Sequence, residues 1–543
     1  MERFLLITDT PGIKQFVFGT DTLAEVRGAS ALLDRLNRIE TERVLRKNLP
    51  AHATLQVVYA NGGTGQFVII ADRESVERSV AALARFYRQE TGDDARIIWG
   101  LVPWPESTSY SDASSDAHLQ MRIWRETDSA NRCSPLLPLL HECSSASHLP
   151  AQTTPYRWGD EEPVMLSNAA ACKRNESRKI GRTGIWPGWM AHLCQDGQWP
   201  DEDHWPKLRP RSAVDFEKAR RGTRQATRRG YVGLVYADGN AMGRLVQEID
   251  SPETCRTFST IVDASIREAC YCTLSQVCEP EIAPIREGRS NGPLPADILL
   301  LGGDDLLVLL PADLALDFAL IATKKFESLT RDHIAALPEG SARAFFRDRQ
   351  VECMTISCGV AFAKATYPFY LLLDLAEDLL RSAKKAGSRD SKVGPYFAPA
   401  YIDFHLIVGP QGADLGAVRK MDYLVGVSDN RQRTLRPYSA DQLVKLKEGV
   451  RLLQGARIPR SKLQNLWSAI LEPRVPQAEA RCRELFSRLG RASNPTERQA
   501  LWQALRNLGM KEDFPWCPHG NSMATALADL VEAVDLFPRE ESA

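Results

Sequence analysis

The chain has 543 residues, enough for three or four domains with a sizeable core in each, and its formal charge of −1 excludes a globally basic nucleic-acid coat. No run approaches the roughly 18 uninterrupted apolar residues that a membrane span requires, and the N-terminus enters a strand pattern instead of a signal peptide, so a cytoplasmic protein with no membrane partner is expected. Twelve cysteines, most of them in apolar strand or helix patterns, read as reduced, buried thiols.

In chain order, residues 4–9 predict a strand and residues 57–70 a hairpin turning at Gly62-Gly63-Thr64-Gly65. Between Lys207 and Arg229 nine Lys or Arg stand against two acids, which leaves open a phosphate-contacting surface or a solvated linker. Residues 232–236 then predict a buried strand ending at Ala237-Asp238-Gly239-Asn240-Ala241-Met242-Gly243, where a helix pattern begins. An acid at a strand's end, followed by a helix N-terminus, is placed to hold a metal while free N–H groups face phosphate.

The most informative feature follows. Gly302-Gly303-Asp304-Asp305 lies between the apolar runs 298–301 and 306–310, the pattern of a β-hairpin with two acids at its tip. Adjacent glycines leave room for a nucleotide, and paired carboxylates are ligands for hard cations such as Mg²⁺. The same tetrapeptide is also a common hairpin turn with solvated acids. Residues 354–361, containing Ser357, predict a third strand, and 371–387 a helix closed by Gly387. Lys384, read in that helix's last turn, pairs with a triphosphate or complements the helix dipole. From about residue 415 the pattern is helical. Asn494-Pro495-Thr496-Glu497 reads as a helix start, with an apolar stripe through Leu501, Trp502, Leu505 and Leu508 to Gly509.

Asp-Gly-Asn-Ala-Met-Gly at 238–243, Gly-Gly-Asp-Asp at 302–305, Ser-Cys-Gly-Val-Ala at 357–361 and Ala-Glu-Asp-Leu-Leu-Arg-Ser-Ala-Lys-Lys at 376–385 together resemble the second Palm domain of the large subunit of type III CRISPR effector complexes. GGDEF cyclases share that plan but do not explain the rest of the chain. Residues 12–21 and 27–37 resemble the first Palm of the same subunit, and its hairpin reads Gly-Gly-Thr-Gly where the second copy carries its aspartates. The resemblance covers roughly three quarters of the chain. It implies an α+β protein of two ferredoxin-like Palm domains, at 1–115 and 230–412, joined by a connecting region at 116–229 and followed by a helical C-terminal domain at 413–543 that packs against small subunits.

The resemblance further implies polymerisation and cyclisation of ATP to a cyclic oligoadenylate. Asp238 and Asp304 would bridge two Mg²⁺ (or Mn²⁺) ions, with Asp305 supporting the second. Gly302, Gly303, Asn240, Gly243, Ser357 and Lys384 would bind the nucleotide, and Gly62 and Gly63 an acceptor. Partners would be ATP, the other effector subunits and, through them, guide RNA and target RNA. Two departures stand out. Cys133, His141, Cys143, Cys172 and Cys194 lack the Cys-x-x-Cys pairing of a zinc site, so a degenerate site is expected and zinc is not. The chain also contains no His-Asp dipeptide, so single-stranded DNA cleavage by a His-Asp nuclease domain is not expected. Asn240 stands where many relatives have an acid. A stand-alone cyclase, an adenylating enzyme and a non-catalytic scaffold remain alternatives.

Overall fold

Strand β1 (Glu2–Asp9) is apolar on both faces, and the fold uses both: Phe4 and Leu6 enter one core, Leu5 and Ile7 the other. It is flanked by β3 (Thr64–Ala71), which forms a hairpin with β2 (Thr54–Asn61), and by β4 (Ile98–Pro103); the antiparallel order is β2-β3-β1-β4. In this computed structural model the described residues are 1–20, 22–127, 140–146, 149–157, 162–179, 185–194, 199, 204–220, 227–391, 394–408, 415–422, 431–472, 474–489, 496–510, 516–519 and 522–539. Helices Leu23–Arg35 and Arg73–Thr91 contribute to the Phe4 core, and Tyr110–Thr127 packs on the Leu5 side.

A second sheet repeats the plan. Strands β5 (Tyr231–Gly239), β6 (Asp297–Gly302), β7 (Asp305–Pro311) and β8 (Ile356–Lys364) run in the order β6-β7-β5-β8, and β9 (Tyr401–Leu406) and a short edge strand, Tyr438–Ser439, extend it beyond β8. Helix Pro252–Val277 follows β5 as Leu23–Arg35 follows β1, and Phe369–Asp390 follows β8 as Tyr110–Thr127 follows β4. The two units exchange contacts reciprocally: Leu23–Arg35 packs on β6 of the second, and Pro252–Val277 packs on β2 of the first. Between them Arg27 grips the fully buried Asp297 at 2.6 Å, and Arg38 bridges Asp34 at 2.6 Å to Asp263 at 3.0 Å.

The C-terminal part is helical, as expected, with helices Ala440–Gly455, Arg460–Ile470, Val475–Arg488, Thr496–Asn507 and Leu527–Ala533. Leu501, Trp502 and Leu505 are buried and Gly509 has φ +86, while the expected N-cap Asn494 lies outside the described residues. A small sheet of Arg431–Gln432, Cys517–His519 and Ser522–Ala524 was not foreseen, its strands being too short to show a period. No helix among the described residues is long and apolar enough to cross a membrane.

The basic segment resolves partly inward. Arg220 is buried between Glu281 at 3.0 Å and Asp313 at 2.7 Å, Arg209 reaches Asp297 at 3.4 Å, and Arg228 lies 4.4 Å over the Tyr231 ring. These three guanidinium groups are internal ties, neither a free phosphate surface nor a solvated linker; the acids that hold Arg209 and Arg220 are distant in sequence, whereas Tyr231 lies three residues from Arg228.

Candidate active site

Asp238 sits one residue before the end of β5, and the register of Ala237 with Leu306 brings Asp305, the first residue of β7, beside it on the neighbouring strand. The β6–β7 hairpin closes with Gly302 opposite Asp305, leaving a two-residue turn, Gly303-Asp304. Gly303 has φ +63, a backbone that disfavours any side chain, so the first turn position takes glycine and the second is free to carry the acid. A Cβ on Gly239 would stand 2.6 Å from Asp304 Oδ2, so only a glycine there lets the turn carboxylate fold over the strand end.

Three carboxylates thus share one corner, and their acidities record it. Burial, then the charge of Asp238, pushes Asp304 up to about 7, and burial with the charges of Asp238 and Asp304 pushes Asp305 up to about 8. Lys384, on helix Phe369–Asp390, opposes both shifts and forms an ion pair with Asp238. The helix reaches the sheet because Gly359 has no side chain: a Cβ there would lie 2.2 Å from Ala376 O. Tyr236 lies on the same face of β5 as Asp238, its hydroxyl held well above its ordinary value by burial and by Asp305. Lys14, paired with Glu377 at 3.0 Å, stands 5.0 Å over the Tyr236 ring.

A cavity of about 460 Å³ opens beside this corner, lined among others by Asp9, Lys14, Gly62, Tyr236, Gly302 and Asp305. The two glycine turns meet at its rim, where a Cβ on Gly62 would fall 3.3 Å from Gly303 Cα. A strand-end acid, a turn carboxylate, a strand-start carboxylate and a helix lysine around a two-glycine hairpin offer the oxygen donors that a divalent cation takes and a cation that a phosphate can meet. Residues 231–393 match the family model for the Cas10/Cmr2 second palm domain. That segment is a Cas10/Cmr2 second palm.

The likeness in fold extends over nearly the whole chain. A Csm1–Csm4 cassette crystallised with pppApApA matches with a TM-score of 0.52 at 13% identity, covering 93% of this chain and 69% of that one. The T. onnurineus Csm1 matches with a TM-score of 0.51 at 14% identity, covering 99% and 70%. A cassette with pppApA gives 0.50 at 13%, covering 93% and 69%. No curated protein matches by sequence. The resemblance to type III large subunits therefore holds at the level of the palm family and the two-palm fold.

The first palm repeats the frame without the hairpin acids. Its turn is Gly62-Gly63, with φ +60 and +84, closed by the pair Asn61 and Thr64. Gly62 therefore corresponds to Gly303, Gly63 to Asp304 and Thr64 to Asp305, which corrects by one residue the alignment of Gly-Gly-Thr-Gly with Gly-Gly-Asp-Asp. Both hairpins carry an irregularity at the matching place, between Val57 and Tyr59 and between Ile298 and Leu300. Asp9 pairs with Thr64 and takes the place of Asp238. Arg125, 2.5 Å from Asp9, takes that of Lys384, and a Cβ on Gly100 would lie 2.0 Å from Ala117 O, as on Gly359 it would crowd Ala376. Asn37, its amide turned to satisfy both ends, accepts from Gly63 N at 2.7 Å and braces this turn.

Several expected nucleotide contacts have other partners. Asn240 is buried and donates through Nδ2 to Thr355 Oγ1 at 2.9 Å, tying the end of β5 to the approach to β8. Ser357 is buried opposite Asp238 and accepts from Tyr401 N at 3.2 Å. Gly243 faces open space on the short helix Met242–Gln247. Helix Phe369–Asp390 runs past Gly387, which serves a close approach to Pro399 O instead of ending the helix. Lys384 is consequently not in the last turn, and its role as a dipole complement falls away. Of the residues in the expected degenerate zinc-type region, Cys133 lies outside the described residues. Cys143 Sγ accepts from Ser167 N at 3.2 Å, and His141 and Cys143 join no group of three potential ligands among the described residues. Tyr236, Lys14, Glu377 and Arg125 were missed. The one sequence signal for Arg125 is its spacing of 25 residues from Gly100, the same as Lys384 from Gly359.

Proposed function

We propose that the chain is the catalytic large subunit of a type III effector complex and converts ATP to cyclic oligoadenylate at the second palm. The observation that carries this reading is the convergence of Asp238, Asp304 and Asp305 beside Lys384, on a cavity whose opposite wall is the first palm. Linear triphosphorylated oligoadenylates are bound by two of the similar cassettes, and those cassettes pair Csm1 with Csm4. A Csm4-type subunit, ATP, guide RNA and target RNA are accordingly the proposed partners.

The donor set fits Mg²⁺ or Mn²⁺: three carboxylates, two of them raised in pKa by burial and by the neighbouring carboxylate charge, carry more negative charge than Lys384 offsets and offer only oxygen ligands. When bound, such ions lower the pKa of an attacking ribose hydroxyl and neutralise the departing pyrophosphate. The hydroxyl oxygen of the acceptor forms a bond to the donor's α-phosphorus, the α–β anhydride bond breaks, and pyrophosphate and a proton leave. Lys384 holds Asp238 and meets phosphate oxygens, while Gly302 and Gly303 let the nucleotide approach the backbone. The first palm, which lacks hairpin carboxylates, seats the acceptor along Asp9, Gly62 and Gly63.

The test is incubation of the purified chain, with and without partner subunits and target RNA, with α-labelled ATP and Mg²⁺. Cyclic adenylate products are expected, and their loss in Asp304→Asn/Asp305→Asn. Products that persist in that variant refute the site, and none under any activating condition leaves a scaffold.

A further inference from the structure

Away from the palm cavity, two helices meet along a polar strip. Helix Ile185–Cys194 of the connecting region lies against helix Pro252–Val277 of the second palm, with Tyr271 Oη donating to Ile185 O at 3.1 Å and Trp189 Nε1 to Ser275 Oγ at 3.2 Å. Gly188 permits the approach, since a Cβ there would lie 2.5 Å from Tyr271 Oη. Ile185, Trp189 and His192 recur at helical spacing, so His192 falls on the same contact face one turn further on. On the other helix Glu268, Cys272 and Ser275 form the matching stripe at the same kind of spacing. His192, Glu268 and Cys272 therefore converge, with one ligand atom of each lying within 4.8 Å of the others.

We infer that His192, Glu268 and Cys272 form a Zn²⁺ site that staples the connecting region to the second palm. The donor set decides the metal. One imidazole nitrogen, one thiol sulfur and one carboxylate oxygen suit a borderline-soft, tetrahedral ion, whereas Mg²⁺ takes oxygen alone. Cys272 Sγ already donates to Glu268 Oε1 at 3.2 Å, so the metal would replace that thiol proton, which leaves to solvent, and hold both residues as anions. The fourth position falls to water, reached from the Glu268 side, which is exposed. The site is separate from Cys143 and Cys172, where zinc was considered from the sequence, and it joins residues distant in the chain, which gives it a stabilising role.

The full chain, stripped with chelator and dialysed against micromolar Zn²⁺, is expected to retain one zinc that Glu268→Gln weakens by roughly tenfold or more. Co²⁺ in its place is expected to show tetrahedral visible bands with a thiolate charge-transfer band that Cys272→Ser abolishes. Thermal unfolding should shift upward with Zn²⁺ in the wild-type chain and not in His192→Ala. A wild-type chain that retains no zinc overturns the inference. So does a His192→Ala/Glu268→Gln/Cys272→Ser variant that retains the wild-type amount, because the metal then sits elsewhere. Glu268 is exposed, so Glu268→Gln keeps the test available if a double or triple variant fails to fold.

Discussion

Removing a carboxylate from the second palm should strengthen the fold while destroying the activity. Asp305 titrates near 8 in the folded chain and Asp304 near 7, against an ordinary value of 3.8. Below about pH 4 both states are protonated and nothing is lost. Between there and pH 8 the folded chain holds protons that the unfolded chain has released, so stability falls as pH rises, and the loss is complete above 8. Each pKa unit corresponds to about 1.4 kcal/mol, but a buried amide still loses hydration, so Asp305→Asn should recover on the order of 1–3 kcal/mol. For a domain of about 150–250 residues that is roughly 2–12 °C in Tm. Calorimetry in EDTA from pH 5 to 9 reads it: the variant's advantage should grow with pH, and saturating Mg²⁺ at pH 8.5 should erase it by stabilising only the wild type. A variant that melts lower than wild type at pH 8.5 in EDTA, or by a pH-independent difference, would show that the three acids do not repel one another.

Three further outcomes follow from the geometry. Lys384→Ala should raise the ATP concentration needed for half-maximal synthesis by about tenfold, with Lys384→Arg partly restoring it; unchanged ATP dependence returns Lys384 to a purely structural ion pair. Gly359→Ala should cost about 1–3 kcal/mol of stability in urea melts, since its methyl meets Ala376 O at 2.2 Å, and an unchanged midpoint would mean that the helix yields freely. Initial rates for Asp9→Asn should exceed those of Asp304→Asn by at least about tenfold, and equal losses would make the first palm catalytic.

The sequence disclosed the members of the carboxylate corner better than their setting. Asp238, Asp304, Asp305 and Lys384 were legible because each is anchored to a strong local pattern: an apolar strand, a glycine turn, an amphipathic helix. The one-residue offset between the hairpins was not, because turn length depends on which residues close the ladder, and Asn61 with Thr64 looks no more like a closing pair than Gly62 with Gly65. Arg125 was missed because its partner Asp9 lies 116 positions away and, its spacing from Gly100 aside, its helix carries little of the second copy's sequence. The largely enclosed Arg209 and the buried Arg220 read as part of a phosphate-contacting surface or a solvated linker for the same reason, since nothing local announces Asp297, Glu281 or Asp313.

The two palms share a frame but not a charge. Around the matched strand ends, Asp9 pairs with Arg125, which balances its charge, whereas Asp238, Asp304 and Asp305 share Lys384, so the second set carries an excess of two negative charges when ionised. If this imbalance is what selects the metal palm, supplying one acid should begin to convert the other. Thr64 is the place: it starts β3 opposite Asp9, as Asp305 starts β7 beside Asp238, it is part-exposed, and its side chain is held by a long 3.3 Å bond to Asn61 O and by the Tyr59 hydroxyl, which a carboxylate there can still accept from. Its backbone contacts with Asn37 survive substitution. Thr64→Asp should therefore fold, with a loss of about 1 kcal/mol or less from repulsion by Asp9, which Arg125 moderates. In Mn²⁺ titrations followed by electron paramagnetic resonance, with Asp304→Asn/Asp305→Asn removing the resident site, it should add a weak Mn²⁺ site that Asp9→Asn abolishes. A folded Thr64→Asp chain that binds no more Mn²⁺ than its parent would show that turn geometry, and not carboxylate charge alone, distinguishes the palms.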